Sequence, residues 1–326
     1  MLLDGNDAAA VARAATALAV GDLVAFPTET VYGLGARADD DAAVARIYAA
    51  KGRPADHPLI VHVADAADAA LFAAPLPALA TRLIDAFWPG PLTVIVPRAP
   101  GMAQAAAGGQ ASIGLRCPAH PVAKALLAAA RALGVAGVAG PSANRFGRIS
   151  PTRAAHVSEA FGDSLLVLDG GACRVGIEST IVDCSRGRPV LLRPGMLTRA
   201  QLEAAAGEPL HEPDAGAPRA SGTLQAHYAP RAKLRLMSAP MLNTALQLLG
   251  APPTSLAVYS RSLPANVGQG VLHRRMPSRP DAAAHELFQV LRELDAAGVN
   301  LIWVEEPPLA SEWDGVRDRL QRAAAS

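Results

Sequence analysis

Apolar positions along this chain switch repeatedly between helical and strand spacing, and that switching predicts the fold class. Residues 8–20, "AAAVARAATALAV", read as a helix that Asn6 or Asp7 can cap and Gly21 can stop. The apolar run "DLVAF" follows as a short strand. "DDDAAVARIYAA" is a capped helix, with Val44, Ile47 and Tyr48 at helical spacing and Gly52 at its end. "LIVHV" is a strand, two alanine-rich helical stretches lead to Trp88, and "LTVIVP" and "SIGLR" are strands. "PVAKALLAAARAL" is a helix and "VAGVAG" a short strand of small residues. A helix near 152–161, strands at "LLVLD", "IESTIVD" and "PVLLR", and a helix from Thr198 complete this part. Helices alternate with strands, which predicts an α/β sheet with helices on its faces. Several strands follow one another directly, so the sheet is expected to be mixed.

The pattern stops at Gly207. "GEPLHEPDAGAPRASGTLQAHYAP" is rich in Pro, Gly, Ala and Ser and reads as a linker over residues 207–231. It separates a first domain, 1–206, from a second, 232–326. The second has strands "KLRLMS" and "SLAVYS" around a helix "MLNTALQLLG", then a helix "DAAAHELFQVLRELDAAG", a strand "LIWVEE" and a last helix "WDGVRDRLQRAAA". It is a smaller α/β domain.

Composition narrows the function. Thirty Lys and Arg against 29 Asp and Glu leave a formal net charge of +1, which argues against gripping nucleic acid by bulk charge. The first residues, "MLLDGNDAAA", lack the basic start of a secretory signal, and no apolar run reaches the roughly 18 residues of a membrane span. Cys117, Cys173 and Cys184 have neither zinc nor disulfide spacing. A cytoplasmic protein is expected. Only three of the 30 basic residues are lysine, at positions 51, 124 and 233. Lysine is a rare choice in this chain, and Lys51 stands in a suggestive place.

Four stretches carry candidate chemistry. "FPTETVYGLG" ends a strand in small polar groups. If extended, it puts Thr28 and Thr30 on one face and Glu29 on the other, and Gly33 and Gly35 would let backbone approach a ligand. In "KGRPADHPLIVHV", Lys51 and Arg53 stand on a loop stiffened by Pro54 and Pro58, suited to a polyphosphate. His57 and His62 are not at metal-ligand spacing, and His62 points away from its strand neighbours. "GPSANRFGRISPT" runs from a strand through Ser142 and Asn144 to a helix start, which offers hydroxyl and backbone donors to an anion. Arg116 ends the strand of "SIGLR", where a fork can clamp a carboxylate. "GIESTIVD" lacks the pattern of a nucleophile elbow, so Ser179 is not read as a covalent nucleophile.

Taken in order, "FPTETVYGLG", "KGRP", "HPLIVHV", "FWPGPLTVIV", "GLRCPAHP", "PSANRFGRISPT", "GIESTIVD" and "LLRPG" resemble the YrdC family of threonylcarbamoyl-AMP synthases. The resemblance spans roughly residues 8 to 206, and the "HYAP" linker with its small domain is similar to the long, two-domain form. Two positions depart from the usual pattern: His57 stands where asparagine or another polar residue is frequent, and Gly140 where alanine or threonine is common.

The resemblance implies a twisted mixed sheet around a cationic cavity, followed by a Rossmann-like domain. It implies that L-threonine, bicarbonate and ATP become threonylcarbamoyl-AMP and pyrophosphate, with Mg²⁺ on the phosphates and no metal held by the protein alone. The product would feed a separate tRNA threonylcarbamoyl transferase complex, and this chain need not bind tRNA itself. Thr30, His62, Arg116, Gly140 and Ser179 would hold threonine. Lys51, Arg53, Ser142 and Asn144 would be the catalytic, phosphate-binding set, and His57, Ser112, Ser150 and Arg193 would complete the ATP site. His227 or Tyr228 would reach the nucleotide from a linker folded over the cavity mouth. Two alternatives remain: a double-stranded RNA-binding or ribosome-maturation protein using the same cavity, and a relative that uses carbamoyl phosphate. The first conflicts with the near-neutral charge, the second with the absence of zinc-finger cysteine spacing.

Overall fold

The computed structural model describes residues 1–249, 255–262 and 270–326. Its contacts divide the chain into two compact units. The first takes Met1–Phe146 and Ser150–Thr223, the second Gly147–Ile149 and Leu224–Ser326.

The first unit is built on ten strands: β1 (Leu2–Asp4), β2 (Val24–Phe26), β3 (Gly33–Arg37), β4 (Ile60–His62), β5 (Leu92–Pro97), β6 (Ser112–Arg116), β7 (Val138–Ala139), β8 (Leu166–Asp169), β9 (Thr180–Asp183) and β10 (Val190–Arg193). They form one sheet in the order β1-β8-β2-β3-β7-β4-β6-β5-β9-β10. It is mixed as expected, because β2 is antiparallel to β3 but parallel to β8, and β6 is antiparallel to β5 but parallel to β4. Its helices are α1 (Ala8–Ala19), α2 (Asp41–Lys51), α3 (Ala78–Phe87), α4 (Pro121–Ala132), α5 (Ala154–Phe161) and α6 (Arg199–Ala206). On one face of the sheet, α1 and α4 cover Val24, Phe26, Val138 and Leu168. On the other, α2, α3, α5 and α6 cover Leu34, Ala36, Val61 and Val94.

The helix ends follow local chemistry. Asp7 caps α1 by accepting from Ala9 N, and Asp40 caps α2 through Ala42 N and Ala43 N. Gly52, at φ 64°, closes α2 and turns the chain directly after Lys51. Some elements differ from expectation. The first alanine-rich stretch is a 3₁₀ helix, Ala66–Leu71, and only Val138–Ala139 of "VAGVAG" is strand. β1 has three residues, too few to show a period.

At Gly33 and Gly35 the room left by the missing side chain is filled from within the protein. The space a Cβ would take at Gly35 is held by Val138 Cγ1 and Phe26 Cε1, 2.8 and 2.9 Å away, and at Gly33 by Phe26 Cζ at 3.2 Å. The Phe26 ring lies against this backbone.

Residues beyond α6 pack on the first unit as far as Thr223. His211 bridges Val190, and the main chain of Arg219 exchanges hydrogen bonds with the Gln110 side chain. Ala217 and Ala220 cover Ile60, Ile95, Ile181, Val190 and Leu192.

The second unit has a four-stranded sheet, β11 (Lys233–Met237), β12 (Leu256–Ser260), β13 (Val271–Arg275) and β14 (Leu301–Glu305). The order is β11-β14-β12-β13, and every pairing is parallel. Its helices are α7 (Ala239–Leu248), α8 (Pro280–Ala296) and α9 (Asp314–Ala324). Gly250, read as the end of α7, lies outside the described residues. β13 was not anticipated: "VLHRR" is polar and exposed, as suits an edge strand. Among the described residues no helix is long and apolar enough to cross a membrane, and the three cysteines are free thiols.

Gly35→Ala should destabilise the first unit by about 1–3 kcal/mol, because the added methyl overpacks Phe26 and Val138. Urea unfolding of the variant beside the parent measures this. A Phe26→Leu change in the same chain should recover part of the loss by freeing space.

Candidate active site

The threonine-rich turn after β2 is not extended. Thr28 Oγ1 accepts from the main-chain nitrogens of Thr30 and Val31, both at 3.2 Å, and donates to Val31 O at 2.7 Å. This side-chain turn bends the segment. It brings Glu29 and Thr30 to one guanidinium instead of opposite faces. Arg116, at the end of β6, donates to Thr30 Oγ1 at 2.8 Å and lies 2.7 Å from Glu29 Oε1. Its Nε reaches Gly90 O at 3.3 Å, and Glu29 Oε2 accepts from Ala119 N at 3.0 Å. Both side chains of the ion pair are only 4% exposed.

His62 ends β4, in register with Arg116 on the neighbouring strand. Phe26 meets its ring edge-on at 5.7 Å. A Cβ at Gly140 would stand 3.0 Å from His62 Nδ1, so the glycine is what lets this ring sit so close to β7. Burial, and then the Arg116 charge, push the His62 pKa down to about 3. The imidazole is therefore neutral at physiological pH, a hydrogen-bonding group rather than a cation.

Lys51 is buried at the last turn of α2 and reaches across to the loop after β7. Its Nζ donates to Ser142 O at 2.6 Å and to Asn144 O. The same loop continues β3, since Leu34 N donates to Pro141 O and Ala143 N to Tyr32 O. Burial first, then Arg53 and Arg145, push the Lys51 pKa well below its ordinary value, and Glu178 opposes them. Thus Ser142 and Asn144 meet the lysine through carbonyls, while the Asn144 amide donates to Arg145 O at 2.7 Å.

Arg53 and Arg193 converge on Ser221. Arg53 donates to Pro58 O at 2.9 Å and to Ser221 Oγ at 3.4 Å. Arg193 donates to Ser179 O, Ser179 Oγ and Ser221 O at 3.0, 3.1 and 2.7 Å. Thr93 Oγ1 completes this cluster, 2.8 Å from Ser179 Oγ. Ser112, Thr93 and Ser221 line one small pocket with Ile60 and Ile181. His57 tilts against Phe146 at 5.5 Å, with Arg53 over the same ring at 5.9 Å.

The first unit thus gathers Thr30, Arg116 and His62 in one group, Lys51 with the Ser142–Asn144 loop in a second, and Arg53, Arg193, Ser179 and Ser112 in a third. Ser150 is buried and donates to Glu178. Thr93, Glu178 and Ser221 were not singled out from the sequence, and Glu29 was placed there on the face opposite Thr30. Glu178 stood within the quoted "GIEST", beside the serine that drew notice. His227 and Tyr228 belong to the second unit. Tyr228, at φ 64°, is buried with its ring 5.4 Å from Phe288 and under the Arg319 guanidinium at 5.5 Å. His227 stacks edge-on against it at 4.1 Å.

Residues 16–195 match the family model described as telomere recombination, and residues 197–325 match that of the threonylcarbamoyl-AMP synthase C-terminal domain. A threonylcarbamoyl-AMP synthase of Pyrococcus abyssi is 36% identical over 316 residues, 93% of this chain and 91% of that protein. The chain belongs to the threonylcarbamoyl-AMP synthase family. The Bacillus subtilis synthase is 37% identical over 326 residues, 96% of this chain and 92% of its own. The crystal structure of Pyrococcus abyssi Sua5 complexed with L-threonine superposes with a TM-score of 0.88 at 34% identity, covering 98% of this chain and 95% of that one. A variant of that protein with a histidine and the next tyrosine changed to alanine superposes at 0.90, with 32% identity and 99% and 96% coverage. The synthase family therefore accounts for both units of this chain.

His62 generates a pH prediction. Its folded pKa of about 3 lies below the ordinary 6.5, so the unfolded chain takes a proton that the folded chain refuses. This contribution is absent above pH 6.5 and erodes stability as pH falls from there toward 3, by up to about 1.4 kcal/mol per pH unit. His62→Asn should flatten the loss of stability between pH 6.5 and 5, before carboxylates titrate. Unfolding free energies across that window measure it, and an unchanged slope would mean that folded His62 does take the proton.

Proposed function

We propose that the cavity of the first unit joins L-threonine, bicarbonate and ATP into threonylcarbamoyl-AMP and releases pyrophosphate. The activity is that of a nucleotidyltransferase acting for threonylcarbamoyladenosine modification of tRNA. The contact between Arg116 and Thr30, in the unit that also holds buried Lys51, carries the reading: an amino-acid clamp and a phosphate clamp in one body.

In this reading Arg116 faces the threonine carboxylate, while Thr30, His62 and Ser179 serve the amine and hydroxyl beside Gly140. A neutral His62 suits that task, because a second full positive charge beside Arg116 would oppose the ammonium. The amine attacks carbon dioxide derived from bicarbonate and loses a proton, giving a carbamate. A carbamate oxygen then attacks the α-phosphorus of ATP, the bond to the β-phosphate oxygen breaks, and pyrophosphate leaves. Lys51, Arg53, Ser142 and Asn144 serve the phosphates, with His57, Ser112, Ser150 and Arg193 around the nucleotide. Lys51 has three N–H donors and spends two on loop carbonyls, which leaves one for a phosphate oxygen. A polyanion beside it would draw its pKa back up, so binding and charging are coupled. Positioning and charge neutralisation supply the catalysis.

Among the described residues no group of His, Cys, Asp or Glu could hold a metal by itself. Mg²⁺ would arrive on the nucleotide, held by phosphate oxygens and water, and would lower the charge on the phosphates. The product would pass to a separate transferase complex in the cytoplasm. No observation favours the RNA-binding alternative.

The deciding assay measures pyrophosphate release with threonine, bicarbonate and ATP each omitted in turn; all three should be required. Lys51→Ala should then lower turnover about 10- to 150-fold, the equivalent of a charge-assisted hydrogen bond of about 1.5–3 kcal/mol. A fully active Lys51→Ala enzyme would remove the phosphate role.

A further inference from the structure

The threonine end of the cavity has a charge arrangement that the proposed reaction alone does not require. Lys51 donates to two neutral carbonyls, so its charge is left for a ligand to meet. Arg116, by contrast, carries a carboxylate against it, Glu29, at 2.7 Å in a buried pair. A carboxylate that already neutralises the arginine works against a simple anion clamp. Nor is stability an adequate reason, because a buried ion pair gives little net stabilisation over apolar packing.

The geometry offers a reason. Glu29 Oε1 and Arg116 Nη2 are buried and close in charge contact, yet neither has an aligned hydrogen-bond partner. The pair thus keeps an acceptor and a donor side by side, with zero net charge. An α-amino-acid zwitterion has the matching pattern, since its carboxylate takes the donor and its ammonium the acceptor. Pyrophosphate and the phosphates of ATP present acceptors, not donors, to that oxygen, and Glu29 repels them at contact distance.

We propose that Glu29 is a specificity-determining residue of the amino-acid subsite. It neutralises Arg116, admits zwitterions, and keeps polyanions at the Lys51 end of the same cavity. This rests on reading Arg116 as the partner of the threonine carboxylate. Without such a device, a cavity built to hold triphosphate would let phosphate groups compete for its other arginine.

The test is Glu29→Gln, which keeps the side-chain shape and an acceptor for Ala119 N while uncovering the Arg116 charge. Threonine KM should rise about tenfold or more, since a charge-assisted contact to the ammonium is lost. The KM for ATP should stay near the parent value. Pyrophosphate should compete with ATP alone in the parent, and with both ATP and threonine in Glu29→Gln. Isothermal titration with pyrophosphate alone should show a second binding event only in the variant. The double variant Glu29→Gln/Arg116→Gln restores neutrality and should lose threonine binding without gaining that event. If Glu29→Gln does not fold, Glu29→Asp keeps the charge, withdraws it by one methylene, and should raise threonine KM without admitting pyrophosphate. Pyrophosphate inhibition of the folded variant that ignores threonine, or a Glu29→Asp enzyme with the parent's threonine KM, would overturn the role of Glu29. A parent enzyme that releases no pyrophosphate with threonine would instead overturn the reading beneath it.

Discussion

A guanidinium buried to 4% exposure must have its charge answered from within the protein. Arg116 meets that demand with Glu29, Thr30 and Gly90, and Glu29 in turn takes the main chain of Ala119. Three stretches distant in sequence are drawn to one point: the turn after β2, the loop before β5, and the end of β6 with the residues that lead into α4. The turn can comply because Thr28 satisfies its backbone from within. Removing one partner would leave a buried charge uncompensated, a far larger penalty than the net value of the intact pair. A group held in this way by the protein's own contacts would cost less to order when a ligand binds.

The buried lysine is held by a different device. Lys51 ties the loop after β7 to the end of α2 through carbonyl oxygens, and Gly52 turns the chain away at once. Its ammonium is expensive to keep buried, as its lowered pKa reflects. A polyanion bound beside it would relieve that cost. The two charges differ in their surroundings: Arg116 is paired with a carboxylate, and Lys51 meets carbonyl oxygens. Under the proposed reading, that difference would let one site take a zwitterion and a triphosphate without exchanging them.

Ser221 shows how residues outside the sheet enter the site. It lies within the long Pro- and Gly-rich stretch, yet it accepts from Arg193 and Arg53, and Ala217 and Ala220 near it cover an apolar patch of β4, β5, β9 and β10. The second unit has its own logic. Its four parallel strands are wrapped by α7, α8 and α9, and Tyr228 is fixed there by Phe288 and Arg319 in a left-handed conformation that a non-glycine residue adopts only when its surroundings compel it.

The order of helices and strands, the mixed character of the first sheet and the caps at Asp7 and Asp40 were legible in the sequence because each depends on neighbours a few residues away. Lys51, Arg53 and Arg116 stood out in the sequence as candidate charges. What those charges touch was not legible. Period and propensity report whether a side chain is buried, not which group from another segment comes to meet it. Glu29 against Arg116, Thr93 against Ser179 and Glu178 against Ser150 all join segments that only the strand order brings together. The glycines of "YGLG" make the same point: the sequence says that no Cβ is tolerated there, and only tertiary packing decides that the Phe26 ring is what excludes it.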